Sequence, residues 1–159
     1  MSTDAPLTAE ATALLARVPY GKLAATLRAL PFVAPARHVV LQDALLLRMH
    51  RGLGYHRACA GTVVAYGADN LAPRPGDRDR WSVQCIGTAS IVRPTEAEEA
   101  LFGAADGLVD GEPFDPVYLR LVPELSTVHR LMPEYGADPP ATLTDSAARP
   151  DRHAASSTI

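Results

Sequence analysis

Residues 79–92, DRWSVQCIGTASIV, place the only tryptophan of the chain at the head of a run that alternates with a period of two. On a strand, successive side chains point to opposite faces. Trp81, Val83, Cys85, Gly87, Ala89 and Ile91 then share one side, and Ser82, Gln84, Ile86, Thr88, Ser90 and Val92 the other. The first side is apolar and suits the inside of a barrel. The second is mostly hydroxyl and amide, which suits either solvent or the polar edge of a ligand. Gly87, in mid-strand, allows a bulge or the close approach of another backbone. Two roles are open to Trp81: filling a core, or packing combined with forming a wall for a bound ring.

Upstream, TAEATALLARV (8–18) reads as a short amphipathic helix with Thr8 as N-cap, stopped by Pro19. GKLAATLRA (21–29) and FVAPARHVVLQ (32–42) read as two strands joined through Leu30 and Pro31, and ALLLRMH (44–50) completes a three-strand meander. Pro35 inside the second strand implies an edge position or a bulge, because proline donates nothing to a ladder. GYHRACA (54–60) reads as a short helix, TVVAYGAD (62–69) as a strand and NLAPRPGDRDR (70–80) as an exposed loop.

Downstream, TEAEEALFGAADG (95–107) opens with a capping box, Thr95 at the N-cap and Glu98 three residues on. DPVYLRLVPE (115–124) reads as the last strand, extending into STVHRL. So many strands with so little helix predict a mainly β fold, an antiparallel barrel with a few short helices, since the helices cannot supply parallel crossovers. Residues 1–134 are expected to form that domain. The remainder, 135–159, is rich in Pro, Ala, Ser, Thr and Asp and is expected to be disordered, because it has too few aliphatic anchors to offset its ordering entropy.

The 159 residues suffice for one domain with a real core. A net charge of −3 argues against a nucleic-acid partner, whose footprint is a basic stripe. No apolar run approaches the ~20 residues of a membrane span, and the N-terminus has no signal-peptide pattern. Cys59 and Cys85 then read as reduced thiols in a cytoplasmic protein. No metal site is expected. There is no CxxC motif, and His50 and His56 have no third ligand nearby. The absence of GxSxG argues against a serine hydrolase elbow.

RWSVQCIGTASIVRPTEAEEA resembles the WSV strand and following acidic helix of the pyridoxamine 5'-phosphate oxidase-like proteins. LLARVPYGKLAATLRALPFVAPARHVVLQDALLLRMH is similar to their first helix and first three strands. VVAYGADNL and VPELSTVHRL are similar to later strands, so the likeness runs over about residues 12–132. It implies a six-stranded antiparallel split β-barrel that binds FMN, forms a homodimer with the flavin at the interface, and acts as an oxidoreductase on a small organic substrate. Carried over by position, Arg37, His38 and Val39 would lie along the flavin. Arg48, Met49 and His50 would lie near its phosphate–ribityl arm, Trp81 and Ser82 would face it, and Arg130 would match a terminal-strand arginine.

The chain departs from that pattern in the phosphate step. The usual lysine becomes Gly54 or His56, for which Arg51, His56 or Arg57 can substitute by charge-assisted hydrogen bonds. Thr127–Val128–His129 replaces a Thr-Gly-Arg step. These changes leave an alternative open: a barrel without flavin, binding haem or another small ligand. The discriminating feature is whether Arg37, Arg48 and His56 or Arg57 converge on one phosphate-sized site. His38 is open either to a structural role or to a ligand contact.

Overall fold

The computed structural model describes residues 7–72 and 74–132; the tail expected to be disordered lies outside them. Helix α1 (Ala9–Leu15) is capped by Thr8, whose side chain accepts from the Ala11 amide. Strands β1 (Tyr20–Leu27), β2 (Leu30–Val40) and β3 (Leu45–His50) form the expected meander. A 3-10 turn (Arg51–Leu53), α2 (Tyr55–Cys59), β4 (Thr62–Asp69), β5 (Arg80–Val92) and α3 (Glu96–Ala100) come next. A two-residue hairpin, β6 (Leu108–Val109) with β7 (Glu112–Pro113), precedes the long β8 (Pro116–Leu131).

Six strands close an antiparallel barrel in the order β1-β2-β3-β8-β5-β4. The closing seam between β1 and β4 is thin, with Lys22, Leu23 and Ala24 opposite Gly67, Tyr66 and Ala65. The β2–β3 ladder is also short and runs only from Arg37 opposite Arg48 to Val40 opposite Leu45. The N-terminal half of β2 therefore pairs with β1 alone. Pro35 sits there opposite Lys22, so its missing N–H faces no ladder and its edge character is local.

The interior is filled by alternate residues. Leu23, Leu45, Leu47, Tyr66, Trp81, Val83, Cys85, Leu119 and Leu121 are all fully buried. A smaller cluster of Leu46, Phe102 and Tyr118 lies outside the wall, where α3 and the chain after it cover β3 and β8. The β5 alternation holds from Trp81 to Ala89. Ile91 departs from it: it is 48 % exposed, because β5 has by then run beyond the barrel's covered interior.

Two further expectations are corrected. The β1–β2 connection is Arg28–Ala29, not Leu30–Pro31; both carry positive φ (51° and 63°), the pattern of a two-residue turn that matches strand twist. The capping box forms, with Thr95 accepting from the Glu98 amide and Glu98 from the Thr95 amide. The helix it starts nevertheless ends at Ala100, and Gly103 with φ 66° turns the chain away. The chain beyond Gly103 forms the β6–β7 hairpin rather than more helix. As expected, the last strand continues through STVHRL to Leu131, and Gly87 meets a register shift and the close backbone of Val122 and Pro123 on β8.

Candidate functional site

Because β2 residues with odd numbers face outward, Arg37 stands on the outer wall, directly opposite Arg48 on β3 and Tyr20 on β1. A cavity of about 160 Å³ lies against this wall. Tyr20, Pro35, Arg37, Arg48, Met49 and His50 form its floor and sides, and Asp106, Val109 and Phe114 close it from the segment between α3 and β8. Like charges placed directly opposite repel, so each guanidinium needs its own compensation.

Arg48 has it. It is 7 % exposed, donates to the carbonyls of Gly103 (3.4 Å) and Ala104 (3.2 Å), and lies over the Phe102 ring at 4.9 Å and the Phe114 ring at 5.8 Å. Arg37 has less: its guanidinium sits 5.9 Å from the Tyr20 ring centroid, and its buried Nε has no hydrogen-bond partner. A buried donor without a partner costs about 1–3 kcal/mol.

Of the other basic residues of the segment 48–57, His50 alone lines this cavity. The His50 ring lies 5.6 Å from that of Phe114, and its Nδ1 accepts from the Asp115 amide at 3.1 Å. Arg51 pairs with the Asp115 carboxylate at 3.3 Å and donates to the Pro116 carbonyl at 3.2 Å. His56 is turned inward on α2, 5 % exposed, with Nδ1 unpartnered. Burial lowers its pKa, as do the charges of Arg51 and Arg57, against Asp115. Arg57 points out to solvent. Arg37, Arg48 and His50 are thus brought together, while His56 and Arg57 are not.

His38 faces the opposite side of the wall. Its Nε2 lies 2.8 Å from the Leu15 carbonyl and its Nδ1 2.6 Å from the Tyr66 hydroxyl. A carbonyl only accepts, so Nε2 carries the hydrogen, and in the neutral ring Nδ1 accepts from Tyr66. The Tyr66 ring reaches that point because Gly21 has no side chain: a Cβ there would collide with the Tyr66 hydroxyl and the Gly67 carbonyl oxygen. Both imidazole nitrogens are engaged inside the chain, which leaves no lone pair for an iron. His38 is a structural strut between α1, β2 and β4.

Burial lowers the His38 pKa below 6.5, assisted by the Arg37 charge and opposed by the Leu15 carbonyl. His56 shifts the same way. Below pH ~6.5 the unfolded chain then binds more protons than the folded one, so stability falls with falling pH down to the folded-state pKa. Denaturant midpoints of the wild type between pH 7.5 and 5 are expected to decline, and His38→Asn to show a shallower decline. A wild-type midpoint that is flat over this interval would contradict the buried neutral imidazole.

Of the remaining expected positions only Met49 reaches the cavity. The Trp81 ring is fully buried in the barrel core, with the Arg17 guanidinium 5.8 Å from its centroid. Ser82 is half-buried between Asp69 and His129. Arg130 is held by Glu10 at 2.8 Å and Asp79 at 2.9 Å, tying β8 to α1 and to the loop before β5. Val39 packs against the outer cluster of Leu46, Phe102 and Tyr118. Met49 belongs to the core and shows one edge to the cavity. Burial pushes the Cys59 and Cys85 thiols up to about 11, so both are inert at neutral pH. Among the described residues no helix is long and apolar enough to cross a membrane, and no three His, Cys, Asp or Glu side chains gather as a metal site.

The family model for pyridoxamine 5'-phosphate oxidase matches residues 8–133, nearly the whole described chain. The chain belongs to the pyridoxamine 5'-phosphate oxidase family. An FAD-binding protein from Mycobacterium smegmatis superposes with a TM-score of 0.60 at 25% identity, covering 79% of this chain and 98% of that one. A heme-binding protein from the same organism gives 0.58 at 15% identity, over 83% of this chain and 60% of that one, which is a likeness of fold. The uncharacterized protein Rv0080 of Mycobacterium tuberculosis is 38% identical over 92 residues, 55% of this chain. That match spans about three fifths of the relative, 59% of its length. The mainly β split barrel is thus shared with other proteins of this family type.

Proposed function

We propose that this member of the pyridoxamine 5'-phosphate oxidase family binds a flavin, specifically FMN, on the outer wall of β2 and β3, and uses it as an oxidoreductase on a small organic substrate. The observation that carries this reading is Arg37, which lines a cavity that joins cations to aromatic rings and whose Nε has no hydrogen-bond partner among the described residues. Those donor types suit an anionic, ring-bearing ligand: a guanidinium holds a phosphate, and Tyr20 and Phe114 offer faces to a ring. The 25%-identical FAD-binding neighbour supports flavin as that ligand.

The cavity within one protomer is small. At about 160 Å³ it falls below the ~300 Å³ at which ordinary ligand pockets begin. A second copy of the chain would supply the missing wall. The outer face of the barrel carries an apolar row, Val33–Ala24–Ala65–Ile86–Leu125, in register across β2, β1, β4, β5 and β8. Val33 is 61 % exposed, Val63, two residues from Ala65 on β4, is 62 % exposed, and exposed apolar patches of this kind mark interfaces. The row leads to the cavity through Pro35, two residues from Val33 on the same face of β2. A homodimer seated on this row places its partner beside the cavity mouth.

Bound flavin supplies the electron transfer. The chain's part is to hold and orient it: Arg37 fixes an anionic oxygen, and the apolar walls with the covering segment keep water from the ring. FMN titration followed by flavin fluorescence tests the assignment. Arg37→Gln is expected to weaken FMN binding about 10-fold or more, the scale of one charge-assisted hydrogen bond. Equal affinity in wild type and variant would remove Arg37 from the site.

A further inference from the structure

The two arginines that face each other across β2 and β3 are held in different ways, and the difference assigns them different tasks. Arg37 lines the cavity with its Nε unpartnered among the described residues, whereas both terminal nitrogens of Arg48 already reach carbonyls of the covering segment. That segment is anchored at its two ends by aromatic side chains. Phe102 is fully buried and Phe114 is half-buried against His50, and both rings lie under the Arg48 guanidinium. Between the anchors every residue from Gly103 to Pro113 is exposed except Val109, which is half-buried.

Little else holds those residues down. Apart from the Arg48 bonds and the Gly103 amide donating to the Ala100 carbonyl at 3.2 Å, their pairing is local, through the two-pair β6–β7 ladder and the Phe114 amide donating to the Gly107 carbonyl at 3.1 Å. A two-stranded hairpin of this size has no stability of its own. Gly103 provides a left-handed joint (φ 66°) immediately after the Phe102 anchor, and Asp110–Gly111 (φ 51° and 83°) closes the hairpin tip. Asp106 and Val109 of this segment line the cavity.

We propose that residues 103–113 are a strap that opens and closes over the Arg37 cavity, and that Arg48 is the positioning residue that latches it shut rather than a contact to the ligand. Few buried contacts and exposed backbone bonds are the features of segments that open locally at low cost. A closed strap excludes water from the anion on Arg37, which strengthens that charge-assisted bond. Opening exchanges the two carbonyl bonds of Arg48 for water. The proposal takes the flavin reading for the identity of the ligand; the strap and its latch stand without it.

Hydrogen–deuterium exchange of residues 101–115, with FMN association and dissociation rates by stopped-flow fluorescence, separates the two tasks. Arg48→Gln and Phe114→Ala are expected to speed exchange across the strap about 10-fold or more and leave β5 and β8 unchanged. In Arg48→Gln both FMN rates should rise, with Kd changing less than either. Arg37→Gln should leave strap exchange at the wild-type level and raise Kd. Strap exchange unchanged in Arg48→Gln overturns the latch, and a raised Kd with that unchanged exchange would make Arg48 a ligand contact instead. If Arg48→Gln fails to fold, Phe114→Ala decides by its strap exchange, and exchange at the wild-type level overturns the strap. If FMN does not bind the wild type, the flavin reading fails and the exchange arm still decides the strap.

Discussion

Trp81→Ala is expected to cost about 3–5 kcal/mol, the range for deleting a large aromatic side chain from a packed core. The ring is fully buried among Leu14, Leu15, Val83 and other residues of the barrel interior. A small domain holds only about 5–15 kcal/mol in total, so the variant should unfold at much lower denaturant or fail to accumulate. Trp81→Phe separates this from a ligand role. The indole Nε1 is buried without a partner, so phenylalanine removes an unsatisfied donor while keeping an aromatic ring. Loss of volume and loss of the orphan donor then partly cancel, and Trp81→Phe should cost about 1–2 kcal/mol with FMN affinity unchanged. A stable Trp81→Phe protein that no longer binds FMN would contradict the core role.

Gly87→Ala is expected to cost about 3 kcal/mol or more, at or beyond the top of the usual range for overpacking. A Cβ at this position would run into the Val122 carbonyl oxygen and lie 2.8 Å from Pro123 Cα. Both obstacles are backbone, held by the longest ladder of the barrel at the point where its register shifts. No side chain can rotate away to make room. Gly67→Ala is the control, since its Cβ would meet only the Val83 carbonyl oxygen at 3.6 Å, an ordinary contact. Urea unfolding of both variants should show a large drop in midpoint for Gly87→Ala and a small change for Gly67→Ala. Equal midpoints would mean that β8 adapts at the bulge.

The barrel was legible because its strands carry strict alternation. In Trp81–Ala89 and Val63–Asp69 buried and more exposed side chains alternate, and period two then fixes both the strand and its buried face. The capping box at Thr95 was legible for a local reason, two side chains satisfying two amides. The covering segment after α3 was not. Helix composition over TEAEEALFGAADG conceals the turn at Gly103, and the hairpin at 108–113 is too short to alternate. The one signal there was a pair of phenylalanines, Phe102 and Phe114, bracketing a run with three glycines.

The site was legible in part for the same reason. Arg37, Arg48 and His50 could be placed by strand position, and the cavity joins them. Tyr20, Asp106 and Phe114 complete it from elements distant in sequence, which pattern alone does not bring together. His56 and Arg57 share a short helix, yet one is buried and the other is in solvent, because a helix turns by about 100° per residue. His38 shows the limit most clearly. A histidine between apolar strand residues has two readings in sequence, and only the 2.6 Å and 2.8 Å contacts to Tyr66 and Leu15 choose the structural one.

The flavin assignment is tested most directly by size-exclusion chromatography of the full chain after addition of FMN, with the absorption spectrum recorded across the protein peak. Two flavin bands travelling with a species of twice the 16.9 kDa chain mass are the expected result. A colourless monomer with all FMN eluting later, or a Soret band in place of the flavin bands, would contradict it.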